Sequence, residues 1–138
     1  MDDETKLELK VVTPQGPVVG EIVESVTARS DLGEFCVLPM HRLILSALEP
    51  GRLMVQKQGG EVTTYVIDKG FLEGGPDHAN VITARCVAAD EVVESEVLAE
   101  LEELQQQLDE MELDDPKRSG VVDSLEWARA KQSVLPKN

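Results

Sequence analysis

The sequence predicts an all-β N-terminal sandwich of about ten short antiparallel strands, followed by a C-terminal antiparallel hairpin of two helices. Three observations predict it. Apolar residues alternate with period two as far as about residue 87. Turn residues recur at short intervals through the same part. From Asp90 onward the apolar spacing becomes helical. These shifts divide the chain into a β-domain over residues 1–87 and a helical domain over residues 88–138.

The first strand is written in "KLELKVV", where Leu7, Leu9 and Val11 share one face. "ESVTARS" repeats the pattern with Val26 and Ala28. The run "GEFCVLPMHRLILSALEPG", Gly33 to Gly51, reads as a buried strand, a turn and another strand. His41 and Arg42 interrupt it directly after Pro39 and Met40. Glu49-Pro50-Gly51-Arg52 has Pro and Gly where a type II turn wants them. Gln58-Gly59-Gly60-Glu61 reads as a two-residue hairpin turn between "RLMVQK" and "EVTTYVI". Gly70 and Gly74-Gly75-Pro76-Asp77 punctuate the runs that follow.

In the second part Val97, Leu101, Leu104, Leu108 and Met111 are spaced four, three, four and three. That spacing lays one apolar stripe along a helix from about Glu91 to Leu113. Pro116 denies a backbone donor and Gly120 permits a sharp turn, so "DDPKRSG" reads as the connector. "VVDSLEWARAKQSVL" resumes the helical pattern with Val121, Leu125 and Ala128 on one side. Trp127 reads as a packing anchor in the hairpin.

Composition bounds the function. The 138 residues are 41% hydrophobic but only 3% aromatic, so the core must be built from Val, Leu, Ile and Ala. The formal net charge of −14 argues against nucleic acid, because phosphate binding needs clustered Lys and Arg. Residues 1–87 carry 13 acids and 8 bases, a balance of −5. Residues 88–138 carry 14 acids and 5 bases, a balance of −9. The opening "MDDETKLELK" is charged from the start and unlike a secretory leader. No apolar run reaches the length of a membrane span. Cys36 and Cys86 are too few for a disulfide framework and read as free, buried thiols, which makes the cytoplasm the working compartment.

Catalytic patterns are weak. "KQGGE" and "LEGGPDH" have paired glycines, but neither precedes a helix with the Lys and Ser/Thr of a phosphate loop. Cys36, His41, His78 and Cys86 could be imagined around zinc, yet their gaps match no standard ligand pair, so no metal is expected. No Ser or Cys is marked out beside a base and an orienting acid. His78 lies in a Gly/Pro/Asp turn, where an exposed polar residue is expected.

Taken together, four stretches resemble the epsilon subunit of F-type ATP synthase. "GEFCVLPMH" is similar to that family's Gly-Glu-Phe/Leu-Gly-(apolar)-(apolar)-Pro-Gly-His segment, and "LSALEPGRL" to the segment after it. "YVIDKGFLE" resembles its aromatic-led strand ending in Gly-Phe-x-Glu. "VITARCVAADEV" resembles its last strand and the lead into the first helix. The resemblance implies a β-sandwich followed by two helices. It also implies a non-catalytic rotor subunit of the central stalk, bound to the gamma subunit and the polar loops of the c-ring. It would be a peripheral protein on the cytoplasmic face of the cell membrane, without inserting into it. In many members the helical hairpin extends along gamma, meets the alpha and beta subunits and inhibits ATP hydrolysis.

The family's ring-facing Glu matches Glu34, and its turn His matches His41. The resemblance implies that both are offered to the ring at one edge. Met40 and Arg42 complete the same turn, standing where the family has Gly and Ala, while Cys36 replaces another Gly. Some members bind ATP as a regulatory ligand through Ile/Leu-Asp-x-x-Arg-Ala. "LEWARA" matches that motif with Leu125, Arg129 and Ala130, and has Glu126 in place of Asp. Basic residues available to an extended second helix are Arg129, Lys131 and Lys137, with Lys117 and Arg118 before them. A different class of function is a free-standing acidic interaction module that dimerises through the Val97–Met111 seam.

Overall fold

A computed structural model describes residues 6–136, so residues 1–5, Lys137 and Asn138 lie outside the described part. Alternation does what the sequence pattern predicts in the first strand, β1 (Leu7–Thr13): Leu7, Leu9 and Val11 are fully buried and Glu8, Lys10 and Val12 face out. The strands that follow are β2 (Gly16–Ser30), β3 (Gly33–Val37), β4 (Ile44–Leu48), β5 (Gly51–Lys57), β6 (Val62–Ile67), β7 (Gly70–Gly74), β8 (His78–Thr83) and β9 (Cys86–Ala88). Two helices end the chain, α1 (Glu94–Glu110) and α2 (Arg118–Ser133). A short 3-10 turn, Ala89–Glu91, leads into α1.

The described strands number nine, and they are less uniform than the pattern implied. β2 is 15 residues long. Its first half pairs with β1, from Thr13↔Gly16 to Leu7↔Val23. Its second half pairs with β3 on one side and β5 on the other. The strand order is β4-β7-β8-β1-β2-β5-β6-β9, with β3 as an edge strand on β2. Every pairing is antiparallel except β1 with β8, which is parallel. These two strands are far apart in the chain, so no hairpin dictates their direction.

The sheet folds over so that the inner faces of its two halves meet in one aliphatic cluster. Leu7, Leu9, Val11, Val23, Val26, Val37, Leu53, Val55, Ile67, Leu72 and Val81 fill it. Phe35 and Tyr65 pack at its margin. Val37 points inward, and Cys36 therefore points out and is exposed, unlike the buried thiol the sequence pattern suggested.

Two turns differ from their expected form. Lys57 N donates to Glu61 O at 2.7 Å, so the β5–β6 loop is the three residues Gln58, Gly59 and Gly60 rather than two. Gly59 and Gly60 both have φ of 95°, a conformation that needs glycine. Glu49-Pro50-Gly51-Arg52 is not a type II turn: Gly51 lacks the positive φ and already belongs to β5. β4 and β5 do not pair with each other; β4 pairs with β7. The Pro-Gly pair thus carries the chain from one layer to the other.

The helices are shorter than the stripe suggested at α1 and longer at α2. Gly120 lies inside α2, and the connector ends earlier, at Lys117. Asp115 Oδ1 accepts from the Lys117 amide at 2.8 Å and helps close it. α1 packs on α2 with Val97 buried and Leu101, Leu104, Leu108 and Met111 half-buried. Lys131 Nζ donates to Glu100 Oε1 at 2.8 Å across the pair.

Trp127 anchors the hairpin to the sheet, not only to its sister helix. It is buried with Ala130 against Val66 of β6. Arg85 lies over its ring at 4.8 Å from the centroid, and Lys131 over it at 5.5 Å. The Arg85 guanidinium also donates twice to Asp68 Oδ2, at 3.1 and 2.9 Å. Lys69 adds an exposed pair with Asp123 at 2.9 Å. Replacement of Arg85 by Ala removes the ring contact and leaves the Asp68 carboxylate, only 12% exposed, without its partner. The expected cost is about 1–2 kcal/mol, discounted because Arg85 itself is half exposed. Denaturant unfolding followed by the fluorescence of Trp127, the single tryptophan, measures it.

Candidate functional site

The turn after β3 is built by Leu38-Pro39-Met40-His41. Pro39 presets the first corner, and the His41 amide donates to Leu38 O at 3.2 Å. Met40, with φ of 69°, is the only non-glycine residue at positive φ among the described residues. It therefore adopts the conformation for which glycine is the usual choice. A second bond ties it down: the Met40 amide donates to Pro76 O at 2.7 Å, in the β7–β8 loop. The Met40 side chain is 66% exposed. His41 Nδ1 lies 2.7 Å from Arg42 O and, facing a carbonyl, must donate there. Arg42 is exposed beside it.

The Gly33–Gly51 block is far less buried than its composition suggested. Leu38, Leu43 and Leu45 are all more than half exposed. Glu34 and His41 flank the same edge strand but lie at its two ends. Glu34 sits one residue from the β2–β3 turn, opposite Arg29. Three further residues of β3, about 10 Å at 3.3 Å each, separate it from the Leu38–His41 turn. The Arg52 Nη2 donates to Glu34 Oε2 at 3.4 Å, an exposed and weak pair.

A larger surface lies on the outer face of β4, β7, β8 and β1. Cross-strand partners place Ala47 beside Phe71, Phe71 beside Ile82, and Ile82 beside Val12. This row is apolar although it faces solvent: Phe71 is 55% exposed and Ile82 58%. Leu45 continues it toward the Met40 turn, where it pairs with Glu73. The sequence carried a signal for this row. Val12 follows Val11, Phe71 precedes Leu72, and Ile82 follows Val81, so apolar residues fill both phases of the alternation.

The four α2 residues of the ATP motif do not all meet at one site. Leu125 and Ala130 are buried in packing contacts. Glu126 lies 3.6 Å from Lys69, and Arg129 is exposed. Glu126, Arg129 and Ala130 border a shallow pocket of about 250 Å³ with Arg29 and Pro50; Leu125 does not.

Cys36, His41, His78 and Cys86 stay apart, on β3, its following turn, β8 and β9. Among the described residues no three His, Cys, Asp or Glu side chains are grouped to hold a metal ion. Burial pushes the Cys86 thiol up to about 11, so it is a poor nucleophile near neutrality. His78 is instead held between two carboxylates. Its Nε2 lies 2.8 Å from Glu73 Oε2 and its Nδ1 3.0 Å from Asp77 Oδ1. Hydrogen bonds donated to Asp77 and to Glu73 hold its pKa above the usual 6.5.

Residues 6–89, which span all nine strands, match the family described as "ATP synthase, Delta/Epsilon chain, beta-sandwich domain". The chain belongs to this family of ATP synthase delta and epsilon subunits. An ATP synthase epsilon chain of Nitratiruptor sp. is 34% identical over 97 residues, covering 70% of this chain and 75% of that protein. The Geobacter metallireducens epsilon chain is 36% identical over 87 residues, covering 63% of this chain and 62% of that protein. The fold agrees with a chain of the Euglena gracilis mitochondrial ATP synthase, solved as an OSCP/F1/c-ring assembly. The TM-score is 0.84 at 25% identity, covering 96% of this chain and 82% of that one. That superposition takes in the delta/epsilon β-sandwich and the helical hairpin together. Among the described residues no helix is long and apolar enough to cross a membrane.

Met40→Gly should relieve the left-handed strain, roughly 1–2 kcal/mol, against a glycine entropy cost of about 0.5–1 kcal/mol. The expected net effect is a stabilisation of about 0.5–1 kcal/mol, read from the midpoint of urea unfolding.

Proposed function

We propose that the protein is a rotor subunit of the central stalk, coupling ion translocation to ATP synthesis without chemistry of its own. The observation that carries this is the bare apolar row Ala47–Phe71–Ile82–Val12 on a sheet whose other outer face is covered by α2. A contiguous exposed apolar patch marks a protein interface. In a chain of this family the fitting partner is the gamma subunit. The neighbouring turn, with Leu38, Met40, His41 and Arg42, is offered to the polar loops of the c-ring. Glu34 would join them by exchanging Arg52 for a basic side chain of the ring. The assembly would hold the protein on the cytoplasmic face of the membrane as a peripheral subunit.

The helical hairpin is proposed as a regulatory part that meets the alpha and beta subunits and restrains ATP hydrolysis. Its support is the polar rim around the Trp127 contact with the sheet, where Lys69 pairs with Asp123 and Glu126. Exposed ion pairs of this kind exchange readily for others. ATP as a regulatory ligand has only the 250 Å³ pocket beside Glu126, Arg129 and Ala130 in its favour. Dimerisation through the Val97–Met111 stripe is disfavoured, because that stripe packs toward α2.

Mixing with a gamma-containing catalytic core should give a stoichiometric complex; no complex on a sizing column would sink the rotor assignment. Phe71→Glu leaves the buried core untouched and should weaken that complex by at least about tenfold, or 1.4 kcal/mol. Deleting residues 88–138 should raise the ATPase rate of the complex if the hairpin restrains hydrolysis. An unchanged rate would remove the regulatory role and leave docking intact.

A further inference from the structure

The β7–β8 loop supports the Met40 turn, and a histidine fastens that loop. The Pro76 carbonyl accepts the Met40 amide at 2.7 Å. Pro76 lies between Gly75 and Asp77, and both neighbours are fastened to His78. The Gly75 amide donates to His78 O at 2.9 Å, and Asp77 Oδ1 lies 3.0 Å from His78 Nδ1. The imidazole packs on Gly75 so closely that a Cβ added there would meet its Cε1 at 2.9 Å. Leu43, which follows the turn, reaches the same spot, 3.2 Å from that Cβ position.

Both ring nitrogens of His78 face carboxylate oxygens, and an ionised carboxylate can only accept. A neutral imidazole has one N–H and can satisfy one of the two. The full arrangement therefore requires the doubly protonated ring. We infer that the His78 imidazolium, clamped between Glu73 and Asp77, is a proton-dependent tie that positions the Leu38–His41 turn through Pro76.

The surroundings favour the charge. From β7 comes Glu73, which is itself held by Asn80 Nδ2 at 3.0 Å. From the loop comes Asp77. From β1 comes Glu8, in register with His78 on the outer face, whose amide donates to Asp77 O at 2.9 Å. On β1, Lys10 is in register with Asn80 rather than with His78. From the turn side come His41 and Arg42, with the His41 Nδ1 already bonded to Arg42 O.

The direction of the effect follows from these groups. The pKa of His78 is raised above 6.5, so its stabilisation is complete below 6.5 and is lost as pH rises through the raised value. Glu73 and Asp77 are lowered by their bonds to His78, so their share is present above their ordinary values of 4.5 and 3.8 and is lost on acidification. The tie is thus intact in mildly acid solution and loosens on the alkaline side. The significance for partner binding rests on the docking role proposed above; the tie itself does not.

The test uses the isolated full-length chain, followed by NMR from pH 5.5 to 9. The His78 ring signals should titrate above 6.5, and the Met40 amide should shift with the same midpoint. In His78→Gln, which keeps a polar group but cannot titrate, the Met40 step should disappear. In His41→Gln it should persist, which separates the tie from titration of the turn's own imidazole. A Met40 amide that ignores His78, or that still steps in His78→Gln, overturns the inference. Should His78→Gln fail to fold, Asp77→Asn supplies the second arm: it must lower the midpoint of both signals together, and a shift of only one overturns it. Affinity for the gamma-containing core, measured at pH 6 and pH 8.5, reads the docking role separately. A coupled Met40 step with pH-independent affinity supports the tie and counts against docking through this turn.

Discussion

β2 belongs to both layers, and the rest of the sandwich depends on it. Its 15 residues span roughly 50 Å at strand rise, more than one layer of a small domain needs. The register with β5 shifts between Val23 and Ser25, and a shift of this kind bends and twists a strand. Before it the strand pairs with β1, meeting β5 only at Val23, and after it with β3 and β5. Val23 and Val26 are buried on either side of the bend, so one strand lines the whole length of the core. The composition makes this continuity necessary. The main cluster contains no fully buried aromatic ring, and short Val and Leu side chains fill the space between layers only when those layers are held close and in register.

Closure of the sandwich gives the two outer faces different fates. On the β5–β6 side, Val66 is fully buried under Trp127 and Ala130, so that face is finished within the chain. On the β7–β8 side nothing among the described residues covers Phe71 and Ile82. The helical half, with its balance of −9, turns acidic side chains to solvent and keeps its apolar stripe between α1 and α2. The bare sheet face and the charged helices are thus a division of labour set by which face α2 happens to cover.

Met40 shows how strain is kept at an exposed position. A left-handed methionine persists because neighbours fix it from both directions: Pro39 before it, the His41–Leu38 bond across it and the Pro76 carbonyl outside it. The last support comes from a loop 36 residues away in the chain, and that loop in turn leans on His78. The conformation of one exposed turn is therefore a property of two loops together.

The sequence alone determined the period of the clearest elements. Leu7, Leu9 and Val11 share a buried face, Gly59 and Gly60 turn a hairpin, and Val97 to Met111 form one helical stripe because backbone geometry repeats locally. The family resemblance on "GEFCVLPMH" located the turn with Met40 and His41. Period tells which residues share a face; it does not tell which faces meet. Only the tertiary structure decided that β1 and β8 run parallel, that Cys36 and Leu45 point to solvent, and that Glu34 and His41 stand at opposite ends of β3. The same holds for Phe71, Ile82 and Val12, which lie on three strands and become one surface only through long-range pairing. Such pairing is selected by the packing of the whole core, and no local stretch of sequence contains it.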